Sequence, residues 1–220
     1  MSAVTANGSI VTAGCLTFPY QGAWVLDLVV ANPDGIVGAC EVVINQGLTL
    51  KGTAVRGGAF RETTRIRVAP GADGLRKPAR AVHYASTKRG SVLKDLLRAA
   101  GETLASSADQ SALGAQLPFY TQLALPIGIS VSALFAGSGA VWRMMPDGTL
   151  WVGKDGWKDS SLVEPDDYVD IAEDSNLAAI DLGVDARFPL PGQALEGRKV
   201  SSTEVTIKDG STRARVLLAV

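Results

Sequence analysis

The chain has 220 residues, of which 46% are hydrophobic, so it can bury the core of one large or two small domains. This composition excludes a disordered tail, and a formal net charge of −1 gives no overall basic excess of the kind that indicates nucleic-acid binding, although a local basic patch is compatible with it. The 24 glycines and 10 prolines favour a β-rich fold of short strands over a helical bundle.

Residues 8–70 have the pattern of a run of short strands separated by turns. The turns are PYQG and NPDG, and the strands repeat at roughly the 8–12-residue spacing typical of a sandwich or small barrel. Near the end of the run, Ile66 and Val68 alternate with Arg65 and Arg67, which predicts one dry face and one wet face. We predict a first β-barrel domain over residues 1–80.

Residues 81–163 are predicted to form an insertion of short helices and a hairpin. The hydrophobic residues of SVLKDLLRAAG fall on one helical face, with Ser91 as a candidate N-cap and Gly101 as the end of the helix. A second short helix is predicted over about 108–115. A third is predicted to start at Pro126, which suits a first helical turn, and to stop at the following GSG.

Residues 110–142 carry no charge, so a membrane span has to be considered. The stretch is interrupted by Pro126 and by Gly137–Gly139, and it is diluted by Ser130 and Ser132. We therefore expect a buried helix with loops and no stable membrane span. The first 14 residues lack a basic start followed by an apolar block, which argues against a signal peptide.

The segment VWRMMPDGTLWVG, residues 141–153, holds two of the four tryptophans. Apolar and polar residues alternate on either side of PDG, which predicts a hairpin with its glycine at positive φ. The spacing puts Trp142 and Met144 on one face. Leu150 and Val152 are predicted to share another. Both faces are then expected to be covered, either by the helices or by a second chain.

Residues 164–220 form the predicted second β-barrel domain. It begins with EPDDYVDIAED, which is interpreted as an acidic loop over 164–174, and continues with strands around a KDGS hairpin turn. We find no strict repeat. The predicted fold is mainly β with a small α/β insertion: two small β-barrels separated by a short helical segment and a hairpin.

The motifs of common enzyme sites are missing from the sequence: there is no GxSxG, no GxxxxGK[ST] and no strand-linked GxGxxG. The single histidine, His83, is interpreted as structural or surface-exposed. Cys15 and Cys40 are interpreted as small buried residues, with a disulfide or a reactive thiol as the alternative. No cofactor and no metal is expected.

Two charged segments remain as candidate sites. The acidic loop is the best source of hard oxygen ligands, although a solvated loop is the simpler interpretation. Its carboxylates are Glu164, Asp166, Asp167, Asp170, Glu173 and Asp174. The second segment, residues 56–80, is basic and is interpreted either as the solvent side of a β block or as a face for a partner protein or nucleic acid. Its cations are Arg56, Arg61, Arg65, Arg67, Arg76, Lys77 and Arg80.

Two long stretches of the sequence resemble a known family. SVLKDLLRAAGETLASSADQSALGAQLPFYTQLALPIGISVSALFAGSGAVWRMMPDGTLWVGKDGW is similar to a segment of tailed-phage hub proteins, in which a helix, an LP-aromatic step and a small-residue helix lead into a WR-x-x-pDG-x-xWVG hairpin. LPGQALEGRKVSSTEVTIKDGSTRARVLLA is similar to their closing barrel. The family is the baseplate hub, or late control D-type, group, which is related in fold to the base of the type VI secretion spike.

The resemblance implies a structural protein of the virion tail, assembled in the cytoplasm of the host bacterium. Three chains, each with two related barrels, would form a pseudo-sixfold ring that joins a sixfold tail tube to a threefold spike or tip. The implied partners are two further copies of the chain, a tail tube or distal tail protein and a spike or tip protein. A tape-measure protein is a further candidate, and DNA would only pass through the lumen. No catalytic residue is carried over.

Candidate interface residues combine the hairpin aromatics with the basic strand: Trp142, Met144, Trp151, Trp157, Arg65 and Arg67. Two other functions stay open. A tail-associated cell-wall hydrolase would depend on Asp166 and Asp167 in the acidic loop. A carbohydrate-binding β-domain would use exposed tryptophans, with Trp24 added to the three above, as stacking platforms.

Overall fold

The computed structural model describes residues 4–32, 34–44, 47–174 and 177–219. The first strands in these ranges are β1 (Thr5–Ala6), β2 (Ser9–Pro19), β3 (Val25–Val30), β4 (Gly38–Ile44), β5 (Leu48–Phe60) and β6 (Thr63–Pro70). The central elements are β7 (Val82–Lys88), α1 (Arg89–Ala100), α2 (Gln110–Gly114), β8 (Gln116–Gln122), α3 (Ile127–Phe135), β9 (Val141–Met144) and β10 (Leu150–Gly153). The last strands are β11 (Tyr168–Asp174), β12 (Leu177–Leu182), β13 (Ala194–Leu195), β14 (Arg198–Lys208) and β15 (Ser211–Ala219).

One 11-stranded sheet holds both strand blocks. Its order is β1-β4-β5-β6-β3-β2-β14-β15-β12-β11, with β13 beside β14. β1 pairs with both β4 and β2, so the six N-terminal strands form a closed circuit and the sheet is ring-like there. The mainly β fold with a small helical insertion is confirmed. The division into barrel domains over 1–80 and 164–220 stays a prediction.

The two blocks meet where β2 pairs with β14, from Ala13 opposite Lys208 to Pro19 opposite Ser202. Alternation along the strands turns one face of the sheet inward. In β6, Thr64, Ile66 and Val68 are buried while the two arginines between them are exposed, which confirms the dry and wet faces expected from the sequence.

The first helix confirms most of its prediction. Its apolar residues are buried, and Gly101 ends it in the left-handed conformation with a φ of 79°. The N-terminal assignment was wrong, because the helix begins at Arg89 and Ser91 lies inside its first turn. Lys88 occupies the N-cap position and its side chain caps no backbone group.

The two shorter helices lie where the sequence predicted them. Asp109 caps α2, where its side chain accepts a hydrogen bond from the backbone N–H of Ser111. Pro126 directly precedes α3, which buries Ile127, Val131 and Phe135 against α1 and the hairpin. In the described part of the chain, none of the helices has the length and apolarity needed to cross a bilayer.

The tryptophan-rich hairpin has a different facing from the predicted one. Its register sets Met144 opposite Leu150 and Trp142 opposite Val152. Residues directly opposite each other in an antiparallel pair point to the same side, so these four apolar side chains share one buried face. Arg143 and Trp151 are opposite each other on the second face.

This chain itself covers the hairpin. Trp142 is 5% exposed and its indole N–H donates to the hydroxyl of Ser132 in α3 at 3.0 Å. Both outer edges are also hydrogen bonded within the chain, β9 to Gly22 and β10 to residues 103–109. Met144 is 3% exposed. The hairpin is therefore core that joins the helical insertion to the first strand block.

A buried glutamate ties the insertion to the same block. Glu102, just after α1, accepts hydrogen bonds from the backbone N–H groups of Ala72 (3.1 Å) and Gly74 (2.8 Å) in the loop after β6. A Cβ on Gly71, whose φ is 60°, would lie 2.1 Å from a carboxylate oxygen of Glu102. The loop can approach the carboxylate closely only because this position is glycine.

We expect Trp142→Ala to destabilise the chain by about 3–5 kcal/mol, because it removes a buried aromatic ring and leaves a cavity. Urea denaturation measures the change. Val37→Ala is the control, since Val37 is 92% exposed and its truncation should change stability by less than about 0.5 kcal/mol. Equal stability of the two variants would contradict the assignment of Trp142 to the core.

Candidate interaction surfaces

The second face of the hairpin is built around Arg143. Its guanidinium lies 4.7 Å from the ring centre of Trp151 and 5.4 Å from that of Tyr20. It donates to the carboxylate of Asp155 and to the carbonyl oxygen of Pro191. The Arg143 and Asp155 side chains are only 9% and 8% exposed. This ion pair joins the hairpin to the loop that leads into the second strand block.

The surroundings of this pair are tightly packed. Burial, reinforced by the Asp155 carboxylate, raises the pKa of the Tyr20 hydroxyl above its ordinary value. A Cβ on Gly192 would lie 2.3 Å from Arg143 and 2.5 Å from Asp155, so this position admits only glycine without rearrangement. Two charges in so dry a site stabilise the fold only as a pair.

The six predicted interface residues fall into two separate groups. Trp142 and Met144 are inside the chain, where they present almost no surface to a partner. Trp151 and Trp157 are half-buried. The indole N–H of Trp151 donates to the carbonyl of Ser107, and Trp157 stacks on Tyr20 at 5.4 Å. The assignment of these residues to an interface between chains stays a prediction.

The other two residues lie on the exposed face of the large sheet. Arg65 and Arg67 project from β6 beside a concavity of about 770 Å³, which is also lined by Cys15, Gly57 and Gly58. Arg67 donates two hydrogen bonds to Asp27 of β3, at 2.8 and 2.6 Å. These bonds raise the pKa of the Arg67 guanidinium above its ordinary value.

A second copy of this ion pair occupies the other strand block. Arg215 of β15 donates two hydrogen bonds to Asp181 of β12, at 2.8 and 3.2 Å. The sequences around the two arginines are TRIRV (64–68) and TRARV (212–216), and the aspartates are the centres of LDL (26–28) and IDL (180–182).

The duplication extends to a four-stranded unit. Read across the sheet, β5-β6-β3-β2 is followed by β14-β15-β12-β11, and the chain order within each unit is also the same. The leading threonines are both buried. Thr64 donates to the carbonyl of Asn32, and Thr212 bonds to the carboxylate of Asp185, each in the loop after the aspartate strand. The sequence analysis missed this repeat; TRxRV was the available signal.

The acidic segment is not a loop. Only Pro165–Asp167 form a turn, and residues 168–174 form the strand β11, which pairs with β12. Asp167 accepts a hydrogen bond from the backbone of Glu164, and Glu173 pairs with Arg198. Among the described residues, no three acidic, histidine or cysteine side chains are grouped as a metal site. Asp166 is exposed on the turn.

The basic segment is partly neutralised. Arg67 pairs with Asp27, Arg76 pairs with Asp73, and the Lys77 ammonium donates to the carbonyl of Ala100 at 3.1 Å. Among the described residues, Arg65 has no carboxylate within 4.0 Å and keeps its charge on the exposed face of the sheet. The side chain of Arg56 lies outside the described part of the structure, and Arg80 is exposed.

The remaining candidate residues are separate from these surfaces or from each other. Cys15 is exposed on β2, which contradicts the buried position expected for it, and Cys40 is buried on β4. Both thiols are free. The Nδ1 atom of His83 lies 2.9 Å from the hydroxyl of Thr121, and its ring stacks on exposed Phe119. A surface position for His83 is confirmed.

Solved structures from three bacteria have the same fold. A prophage MuSo2 43 kDa tail protein from Shewanella oneidensis has a TM-score of 0.67 at 11% identity, over 99% of this chain and 97% of its own. A tail protein from Neisseria meningitidis MC58 has a TM-score of 0.69 at 13% identity, over 99% and 96%.

The third is an Escherichia coli component of the type VI secretion system that is described as structurally similar to the T4 bacteriophage tail proteins gp27 and gp5. It has a TM-score of 0.72 at 11% identity, over 98% of this chain and 76% of its own. No family model and no curated protein matches the sequence. The resemblance to phage tail proteins is thus confirmed at the level of the fold.

Asp155→Ala is expected to destabilise the protein by about 3–5 kcal/mol, because it leaves the buried Arg143 guanidinium without its counter-charge. Chemical denaturation measures the loss. Asp95→Ala is the matched control, since Asp95 forms an exposed ion pair with Arg98 whose removal should cost about 0–1 kcal/mol. A loss for Asp155→Ala as small as that of the control would show that the buried pair contributes little.

A thiol reagent at pH 8 should label one cysteine in the native chain and two in denaturant. Cys15 is exposed, whereas burial raises the pKa of the Cys40 thiol to about 11 and keeps it protonated and shielded. Cys15→Ser is the control and should abolish native labelling. Rapid labelling of two thiols in the native wild type would contradict the burial of Cys40.

Proposed function

We propose that this protein is a structural component of a phage or phage-like tail, where three copies form the hub ring that joins a sixfold tail tube to a threefold spike or tip. The observation that carries the proposal is the four-stranded repeat within one continuous sheet. A chain with two similar units supports a trimer that presents six similar units to a sixfold partner on one side and threefold symmetry on the other.

The similarity of fold supports the same role. Two tail proteins and a type VI secretion component align with nearly the whole chain, including the helical insertion between the strand blocks. Because a fold alone does not define a function, this argument adds weight only together with the repeat. The proposed partners are two further copies of the chain, a tail tube or distal tail protein and a spike or tip protein.

The site chemistry favours assembly over the two alternatives. A sugar platform needs an exposed aromatic face, but Trp24 and Trp142 are buried, and the rings of Trp151 and Trp157 already contact Arg143 and Tyr20. A hydrolase would need Asp166 and Asp167 directed at a substrate, and Asp167 instead closes its own turn by accepting the N–H of Glu164. We propose no catalytic role.

The proposal places the protein in the tail of a virion or a related injection machine, after assembly in the host cytoplasm. A ring of this kind leaves a central lumen. DNA would pass through it, and a tape-measure protein would occupy it before ejection. The exposed sheet face, with its paired arginines and aspartates, has the polar character needed to let a chain slide past.

Light scattering over a concentration series tests the trimer. We expect a mass three times the 22.9 kDa of one chain that resists dilution, because ring interfaces that bury more than about 2,000 Å² are usually stable. Negative-stain images of the same sample should show rings with six similar lobes.

The matched control is Val37→Ala, which alters an exposed side chain outside the repeat and should leave the mass unchanged. A monomer at every concentration, with no rings in the images, would contradict a hub that forms before it meets the tube.

A further inference from the structure

The large sheet ends in two strand edges that lack a neighbour. Among the described residues, β11 pairs only with β12. At the other end, β5 pairs with β4 only as far as Ala54, so Val55–Phe60 is hydrogen bonded to β6 alone. An open edge presents unpaired N–H and C=O groups that favour the addition of another strand.

We propose that β11 of one chain pairs antiparallel with the second half of β5 in the next chain, with Asp170 opposite Gly58 and Ile171 opposite Gly57. This inference rests on the proposed function, since the partner is a second copy of this chain. It follows from the repeat: the pairing of β2 with β14 already joins the first unit to the second, and the same joint between chains would use β11 and β5.

The first half of the register comes from the aspartates. Asp27 in β3 lies opposite Cys15 in β2, and Asp181 in β12 lies opposite Asp170 in β11. Because Asp27 and Asp181 are equivalent in the two units, Asp170 occupies the position of Cys15.

The second half comes from the arginines. Arg213 in β15 lies opposite Thr206 in β14, and Arg65 in β6 lies opposite Gly58 in β5. Gly58 therefore occupies the position of Thr206. Thr206 is opposite Cys15 within the chain, so the equivalent joint sets Gly58 opposite Asp170 of the neighbour.

Burial supports this register. The residue in β2 that matches Ile171 is Leu16, because Leu16 and Ile171 lie opposite Leu26 and Ile180, which match in the two units. Leu16 is 0% exposed beside β14, whereas Ile171, which lacks such a neighbour, is 49% exposed. Val169 on the same strand is 69% exposed. A neighbouring β5 would cover this apolar edge, which is otherwise an aggregation hazard.

Charge also matches across the joint. The β11 edge carries Asp170 and Glu173, and the β5–β6 hairpin carries Arg61 and Arg65. Two strand spacings, about 10 Å, would separate Asp170 from Arg65 of the neighbour, within reach of a long arginine. Only Gly58 lies between them, and a Cβ at Gly58 would meet nothing within 4 Å. Opposite charges at such an edge select the correct partner.

The joint is heterologous, so it either closes a ring or propagates a filament. Three chains of eight strands each would give a perimeter of at least about 115 Å at the usual strand spacing. The exposed face with the duplicated arginines would then line the lumen or the outer wall of one continuous barrel.

Cysteine cross-linking tests the register, with an internal control that the native chain provides. Thr206→Cys should form an intrachain disulfide with Cys15 under mild oxidation, because the two positions are paired in the β2·β14 joint. Gly58→Cys combined with Asp170→Cys, in a Cys15→Ser background, has the same geometry between chains. It should give covalent trimers on a non-reducing gel, while each single variant should give none.

The outcomes separate the joint from the hub. A trimer by light scattering with no cross-link in the double variant, while Thr206→Cys cross-links, would overturn the joint and leave the hub standing. Covalent polymers without closed trimers would support the joint and overturn the trimeric hub. Monomers without cross-links would overturn both.

Charge reversal gives a second measurement that needs no disulfide. Arg65→Glu and Asp170→Arg should each raise the concentration needed for half-association about tenfold, the effect of about 1.4 kcal/mol. The chain carrying both changes should recover most of the loss. Unchanged association in both single variants would overturn the contact between Asp170 and Arg65.

Discussion

The pairing of β2 with β14 is the constraint on which the rest of the architecture depends. It joins residues that are more than 180 positions apart, such as Phe18 and Thr203, into one hydrogen-bonded ladder. Without it the chain would be two separate four-stranded units, each with two open edges. With it, the units share one curved sheet, and only the outermost strand edges, on β11 and the second half of β5, remain open.

The helical insertion is held by polar contacts as much as by apolar packing. Arg143 binds Asp155 and the carbonyl of Pro191, so the hairpin is tied to the start of the second block. Glu102 binds the loop after the first block from the other side. These buried charges have defined partners, which makes them sensitive to the relative position of the segments they join. The insertion thereby acts as a brace between the two units.

The repeat connects structure to assembly. The two Arg–Asp pairs, Arg67 with Asp27 and Arg215 with Asp181, lie on the same face of the sheet, four strands apart. A ring made of such units needs only one kind of joint, used once inside each chain and once between chains. The same strand chemistry can thus specify both the fold of the monomer and its association.

The sequence by itself determined the local elements. Periodicity and turn residues predicted a mainly β chain with three short helices and the PDG hairpin, because these signals depend on neighbours within a few positions. It also showed the alternation in TRIRV that makes Arg65 and Arg67 face solvent. It did not reveal which faces of the hairpin coincide, since that depends on register. The acidic segment was taken for a loop because its charges mask the strand pattern of YVDIAED.

Only the tertiary structure decided the long-range relations. The merging of the two blocks, the burial of Arg143 beside Asp155 and the equivalence of the two units all join residues distant in sequence. TRIRV and TRARV were visible as letters, but their meaning comes from the matching aspartates on the adjacent strands. Strand pairing is specified by hydrogen bonds that any residue except proline can make. Its partner is therefore chosen by packing of the whole chain, not by the local sequence.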